Sequence, residues 1–317
     1  MIGSAETVPS AALAALVAEQ VTGASPIAVT RFTTGAQHYV YEAQFAQSAP
    51  VVVRIGSQSA HAEMAGAVHL SALLRPRGVP LPALLAQDIE ANLPWIVLER
   101  LAGGDLGGVI GSLSENQLDG IAAGVAAAQA AAGQTGSAGR YGYAIRPEDA
   151  PFGRWEDVLA ANLNRSRQRM TAHGLFDTSP IDVVETILAT QRERLADIAA
   201  TPFLHDTTTK NVIIDPTGTL SGIVDVDDLC FGDPRYPAAL TLAALLAYGG
   251  PPSYVTAWLR HAGQLDDAVF RLYVALFLRD LMAEHGGVFN GNEQKSKPED
   301  RSRMLAAFTS IVAMARE

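Results

Sequence analysis

Between residues 27 and 100 the apolar positions fall in short runs rich in β-branched and aromatic side chains. These runs predict strands at Ile27–Thr33, Tyr39–Phe45, Val51–Ile55 and Trp95–Arg100. Turn signals divide them, notably Thr33-Thr34-Gly35 and Gln47-Ser48-Ala49-Pro50. Two stretches instead place apolar residues at helical spacing, Ser10–Val21 and His61–Leu74. The second is predicted to stop at Arg75-Pro76-Arg77-Gly78, because proline and glycine both end helices.

Leu101-Ala102-Gly103-Gly104 reads as a hinge, and beyond it the pattern is mostly helical: Ser114–Ala132, Trp155–His173, Ile181–Ala200 and Val269–His285. The run from Ala126 to Ala132 has high helix propensity and little volume, so it predicts a closely packed helix rather than a linker. Gln134–Arg140 is a loop. One β island interrupts the helices: Asn211–Asp215, a Pro216-Thr217-Gly218 turn and Leu220–Val226 form a hairpin. No fixed-period repeat is present. The pattern predicts an α+β chain with two lobes, residues 1–101 small and β-rich with a leading helix, residues 102–317 larger and helical. Clefts between lobes are where small molecules bind.

Composition narrows the function. With 317 residues, 48% hydrophobic and 18% charged, the chain can bury a sizeable core. Its 23 basic and 33 acidic residues give a formal net charge of -10, which argues against a nucleic-acid partner. The single cysteine, Cys230, excludes an internal disulfide and a multi-thiolate metal site. Met1–Glu6 lacks the basic and apolar regions of a signal peptide, and no apolar stretch approaches the ~20 residues of a membrane span, so a cytoplasmic protein without membrane contact is expected. The seven histidines have no zinc-motif spacing.

The candidate chemistry lies on the β island. Asp206 and Asn211 are five apart, across a loop that leads into a strand, and Asp225 lies fourteen positions beyond Asn211. On an extended chain Asp225 and Asp227 share a side, and the hairpin brings Asn211 beside Asp225. Oxygen ligands grouped next to a further carboxylate suit Mg²⁺.

Asp206-x-x-x-x-Asn211, then Asp225-x-Asp227 and Gly232-Asp233-Pro234, resembles the catalytic core of the aminoglycoside phosphotransferase and choline kinase-like superfamily, small-molecule relatives of the protein kinases. The order of elements follows that family over roughly residues 27 to 240. The resemblance implies a bilobal protein-kinase-like fold and a phosphotransferase using ATP or GTP with Mg²⁺. In it Asp206 is the catalytic base, and Asn211, Asp225 and Asp227 form the metal site. Gly35 would lie in the nucleotide-covering loop, and Arg54, at the end of Val51-Val52-Val53-Arg54, would grip the α- and β-phosphates. Glu63 would be the ion-pair partner of Arg54, while Glu99 and Leu101 would belong to the hinge that binds the adenine. Gly232-Asp233-Pro234 would brace the loop after the metal site.

The sequence departs from the family pattern in three places. His205 abuts Asp206 where a His-x-Asp order is common. Thr207-Thr208-Thr209-Lys210 replaces a His-Pro-Gly type loop. Arg54 stands for the more familiar lysine, with different donor geometry. The acceptor is expected in the helical lobe. Asp280 and Glu284, four apart on one helix face, could meet a cationic acceptor, and an antibiotic kinase is the first expectation. A metabolic kinase acting on an amino alcohol, sugar or homoserine-like hydroxyl is the alternative, and a nucleotide-binding pseudokinase a third.

Overall fold

The computed structural model describes residues 9–32, 38–289, 292–293 and 296–315. Ser10 opens helix α1 (Ala11–Thr22) by accepting the Leu13 amide at 3.2 Å, and Gly23 closes it in the left-handed conformation at φ 72°. Strands β1 (Ala28–Arg31), β2 (Tyr39–Gln44) and β3 (Val51–Ile55) follow, then helix α2 (His61–Leu74), β4 (Leu84–Asp88) and β5 (Trp95–Glu99). The five strands form one sheet in the order β1-β2-β3-β5-β4, antiparallel throughout. Register places Tyr41 opposite Val53 and Val53 opposite Val97, so one face of the sheet buries these residues under Ala14, Val17 and Ala18 of α1. The Tyr41 hydroxyl donates to Pro9 O at 2.9 Å and ties the start of α1 to the sheet. The predicted Thr33-Thr34-Gly35 turn lies outside the described residues.

The second half begins with β6 (Gly104–Asp105) and the short helix α3 (Leu106–Val109). Helix α4 (Glu115–Ala132), β7 (Gly142–Ala144), α5 (Trp155–His173), α6 (Ser179–Thr190) and α7 (Arg192–Ala196) come next. Then come β8 (Thr201–Phe203), β9 (Val212–Ile214), β10 (Leu220–Ile223), β11 (Leu229–Gly232), α8 (Tyr236–Tyr248), α9 (Ser253–His261) and α10 (Ala268–Glu284). The strand pair β12 (Val288–Phe289) and β13 (Asn292–Glu293) and helix α11 (Pro298–Ala315) complete the chain. The helix expected over 181–200 is two pieces, because Gln191 leaves helical geometry at φ -95°, ψ 6° and the chain enters β8 at Thr201.

Two small sheets carry the middle of the molecule, β10-β9-β6 and β7-β11-β8. They are packed among helices. Gly124 of α4 lies so close to β10 that a Cβ there would come within 2.7 Å of Leu220 Cδ2. Behind β11, Trp155 packs edge-on against Tyr236 and Tyr273 with centroids 5.0 and 6.2 Å away. The architecture is thus mixed α+β, a β-rich N-terminal sheet followed by a larger helical part. Among the described residues no helix is long and apolar enough to cross a membrane.

Candidate active site

The loop between β8 and β9 carries Asp206, and its shape is fixed from behind by one side chain. Gln129, on the inward stripe of α4 with Ile121 and Val125, is 7% exposed. Its Nε2 donates to Leu204 O at 2.8 Å and to Thr207 Oγ1 at 3.0 Å, and its Oε1 accepts the Leu204 amide at 3.0 Å. Thr241 of α8 adds a bond from its hydroxyl to Thr207 O at 3.3 Å. With both sides of the loop held, Asp206 stands partly exposed. Thr208 Oγ1 donates to its Oδ1 at 3.0 Å, and Asn211 Nδ2 donates to its backbone carbonyl at 2.9 Å. The Asn211 amide bond orients that side chain and leaves Oδ1 available as a ligand.

The hairpin delivers the acids. Val224 N–H donates to Asn211 O at 2.9 Å, which sets Asp225 one residue beyond the partner of Asn211. The extended run expected through Val226 ends at Ile223, and Asp225 is the one described non-glycine residue with positive φ, 63°. Left-handed geometry costs a β-substituted residue of order 1 kcal/mol, although aspartate tolerates it better than most. Asp225 and Asp227 nonetheless converge on one cation: Arg54 Nη1 lies 3.5 Å from Asp225 Oδ1, and Arg54 Nη2 hydrogen-bonds Asp227 Oδ2.

Arg54, on β3, is 5% exposed, and Glu63 is exposed on α2 without an ion pair to it. The sequence-expected Arg54–Glu63 pair is therefore replaced by pairs to Asp225 and Asp227. Helix α2 meets the acid loop through Gly66, where a Cβ would come 3.0 Å from Asp227 O. Buried His38 adds its Nε2 at 3.5 Å from Asp227 Oδ2. Burial opposes charge on Asp227, yet His38 and Arg54 together hold its carboxyl well below the usual carboxylate range.

His205 turns away from Asp206, with Nδ1 2.9 Å from Asp228 Oδ1 and its ring edge-on to Tyr143 at 5.1 Å. Burial works against a charged imidazole, but Asp228, with Asp206 and Asp225 behind it, raises the His205 pKa above its ordinary value. After the acids, Asp233 is held by the Arg235 guanidinium at 2.7 Å and by the Tyr273 hydroxyl at 3.0 Å, which in turn accepts from Trp155 Nε1 at 2.8 Å. Cys230 is fully buried in β11 and its thiol pKa is pushed up by burial.

At the hinge, the Glu99 amide donates to Ala83 O at 2.8 Å and its carboxylate accepts the Ala83 amide at 3.0 Å. Glu99 is thereby committed to the β4 side. Leu101 borders Gly222, where a Cβ would approach its Cδ1 to 2.8 Å. On α10, Asp280 accepts from the Ser166 hydroxyl and lies 4.0 Å from Arg165 Nη2, while Glu284 lies 3.8 Å from Arg169 Nη1. Burial first, and Asp280 second, raise Glu284 to a pKa of about 6.

Among the described residues no group of three or more His, Cys, Asp and Glu side chains is disposed to hold a metal ion by itself. A Mg²⁺ that shares its shell with nucleotide phosphates needs only one or two carboxylates. Asp225, with a 55% exposed side chain, Asn211 Oδ1 and the buried, unpartnered Asp227 Oδ1 fit that lesser demand.

A comparison with curated proteins returned no match. Among solved structures, a thermostable mutant of aminoglycoside phosphotransferase APH(4)-Ia, in ternary complex with ADP and hygromycin B, aligns with TM-score 0.63 at 15% identity. That alignment covers 95% of this chain and 97% of the other. The streptomycin-ATP-APH(2")-IIa ternary complex aligns at 0.61 and 13% identity, over 96% and 99%. A GDP complex of an aminoglycoside 2'-phosphotransferase-IIIa mutant aligns at 0.64 and 14% identity, over 97% and 96%. At such identities these neighbours establish the fold alone. The phosphotransferase enzyme family model (APH), however, matches residues 28–273, from β1 into α10, a span that includes Arg54, Asp206, Asn211, Asp225 and Asp227, and the chain belongs to that family.

Proposed function

We propose that this phosphotransferase moves the γ-phosphoryl group of ATP or GTP onto a hydroxyl of a small molecule, with Mg²⁺ as cofactor. The observation that carries the reading is the pairing of Asp206 with the β9–β10 hairpin. Asn211 joins the two by donating to Asp206 O and accepting from Val224 N–H, so a base and the acids beside the phosphates are fixed to one short piece of chain. Asp206 receives the hydroxyl proton as that oxygen attacks the γ-phosphorus. The bond from the γ-phosphorus to the bridging oxygen breaks, and the nucleoside diphosphate leaves. Mg²⁺, when bound with the nucleotide, supplies charge neutralisation, and Asn211, Asp225 and Asp227 are the residues that would hold it. Arg54 completes the phosphate side. The rest of the rate comes from positioning, which the loop bonds of Gln129 and Thr241 provide.

The fold neighbours' antibiotic complexes support an antibiotic-type acceptor. A metabolic acceptor is the second reading, and the arginine pairing of Asp280 and Glu284 favours it by removing free acids that would select a polycation. The decisive test is Asp206→Asn. Turnover should fall ~10²-fold or more, with nucleotide affinity little changed, because the substitution keeps size and removes the proton acceptor. Turnover within a few-fold of wild type would refute Asp206 as base, and transfer absent from wild type would point to the pseudokinase.

A further inference from the structure

Arg54 stands on β3 in the middle of the five-stranded sheet, with Val40 of β2 on one side and Ile96 of β5 on the other. Its backbone is thus fixed, and the guanidinium changes partners only by turning about its own side-chain bonds. Arg54 is buried, and among the described residues its only ion-pair partners are Asp225 and Asp227. The two are held unequally. Nη2 hydrogen-bonds Asp227 Oδ2, whereas Nη1 stays 3.5 Å from Asp225 Oδ1, and the Asp225 side chain is 55% exposed. More polar atoms crowd the same place. Arg54 Nε, Asp227 Oδ1 and both ring nitrogens of His38 are buried without a hydrogen-bond partner among the described residues. His38 Nε2 nevertheless lies 3.5 Å from Asp227 Oδ2, the oxygen that Arg54 holds. Protein interiors rarely leave buried polar atoms unpaired, and a cluster of them points to a ligand that completes the bonding.

The carboxylates that would hold Mg²⁺ are therefore the ones that Arg54 already engages. A guanidinium and a divalent cation compete for them, because the metal demands close, near-octahedral oxygen contact and two cations at one carboxylate repel. Donor phosphates change the balance. Their oxygens accept the forked guanidinium in two parallel bonds, so the arginine can turn to them as the metal takes the acids. Each charge keeps a partner in both arrangements, which avoids leaving an uncompensated ion in a buried place. Asp227 also keeps His38 beside Oδ2 after Arg54 has turned. Arginine suits this exchange better than lysine, since its planar fork spans two carboxylates where an ammonium is a point charge.

We propose that Arg54 and the divalent metal are exclusive partners of Asp225 and Asp227, so that the metal binds tightly only together with a nucleotide whose phosphates take the guanidinium. The proposal rests on the kinase reading and adds a rule to it: the protein's own arginine keeps free metal out. Mn²⁺ serves as the probe. Its binding to the full chain is followed by electron paramagnetic resonance, without nucleotide and with a non-hydrolysable ATP analogue. Nucleotide binding is measured separately by calorimetry, and Tm is recorded with Mn²⁺ and with a chelator.

The decisive comparison is made without nucleotide. Arg54→Gln should bind Mn²⁺ on the order of 10-fold more tightly than wild type, because the acids lose their competitor, while it binds the nucleotide analogue more weakly. Adding Asp225→Asn should abolish that gain. Arg54→Gln should also melt lower than wild type in chelator and recover with Mn²⁺ alone, to which the wild-type Tm is indifferent. Arg54→Lys, which keeps the charge and loses the fork, should fall between the two and carries the comparison if Arg54→Gln does not fold. A residue that only builds the metal site would move Mn²⁺ affinity the other way. Mn²⁺ binding without nucleotide that is as tight in wild type as in the variants, or tighter, would overturn the proposal, and nucleotide binding by the same wild-type protein would leave the kinase reading intact. Variants that gain Mn²⁺ affinity beside a wild type that binds no nucleotide would instead overturn the kinase reading and leave the competition between Arg54 and metal standing.

Discussion

Gln129→Leu isolates the support of the loop that carries Asp206 from the chemistry proposed for it. Leucine fills a similar volume on α4 but cannot replace the three hydrogen bonds to Leu204 and Thr207. Leu204 is 1% exposed, so its N–H and C=O would both be stranded away from water. Each unsatisfied buried group costs ~1–3 kcal/mol, which puts the total at about 2–6 kcal/mol if the backbone holds still. In a chain of this size that corresponds to a fall in Tm of roughly 3–9 °C. If the backbone relaxes instead, the loop moves. A shift of ~1 Å at Asp206 lowers turnover on the order of 10²-fold, so stability and turnover trade against one another. Differential scanning fluorimetry, steady-state kcat and hydrogen exchange at the Leu204 amide follow the three consequences together. Gln129→Glu serves as a control, since it keeps the acceptor for the Leu204 amide and loses both donors. An unchanged Tm together with an unchanged kcat in Gln129→Leu would refute the reasoning.

Two further substitutions address the charges. Asp225→Ala should weaken Mg²⁺-nucleotide binding more than Asn211→Ala, because it removes a full charge, whereas Asn211→Ala should cost more turnover through its lost bond to Asp206 O; Mg²⁺ titration at fixed nucleotide separates them, and equal, metal-independent losses would refute a metal role. Glu284, raised from 4.5 to about 6 by burial and Asp280, favours the fold when protonated, so its contribution is complete below pH 4.5 and is lost as pH rises through about 6. Glu284→Gln should accordingly gain Tm relative to wild type over that interval, and a difference that does not vary with pH would contradict it.

Local patterns made much of this chain readable. Helices α2 and α5 begin and end where the pattern places them, at residues bounded by Gly78 and Gly174 in left-handed geometry. Helix α8 escaped the pattern because it is apolar on nearly every side and so presents no stripe. Strand β4 and helices α9 and α11 were likewise not anticipated. Within the candidate site, the closeness of Asp206, Asn211 and Asp225 was legible because they flank one hairpin. The pairing of Arg54 with Asp227 spans 173 residues, and Gln129 reaches Leu204 across 75; no local periodicity records such contacts. Gln129 did leave one signal, a polar side chain on the inward stripe of an alanine-rich helix. His205 was marked by its place directly before Asp206, whereas Asp228 left no signal beyond its nearness to Asp225 and Asp227.

The segment from Leu101 to Asp105 is joined to the β9–β10 hairpin by backbone. Strand β6 pairs with β9 through Gly104–Ile214 and Asp105–Ile213, Ser221 Oγ donates to Ala102 O at 2.8 Å, and a Cβ at Gly103 would overlap the Ile214 carbonyl. The length of the crossing segment is therefore as constrained as its composition. Inserting or deleting one residue between Leu101 and Asp105 would slide β6 along β9 and reverse which faces its residues present. Family members that vary freely in their surface loops should keep this stretch at one length, whatever compound they phosphorylate.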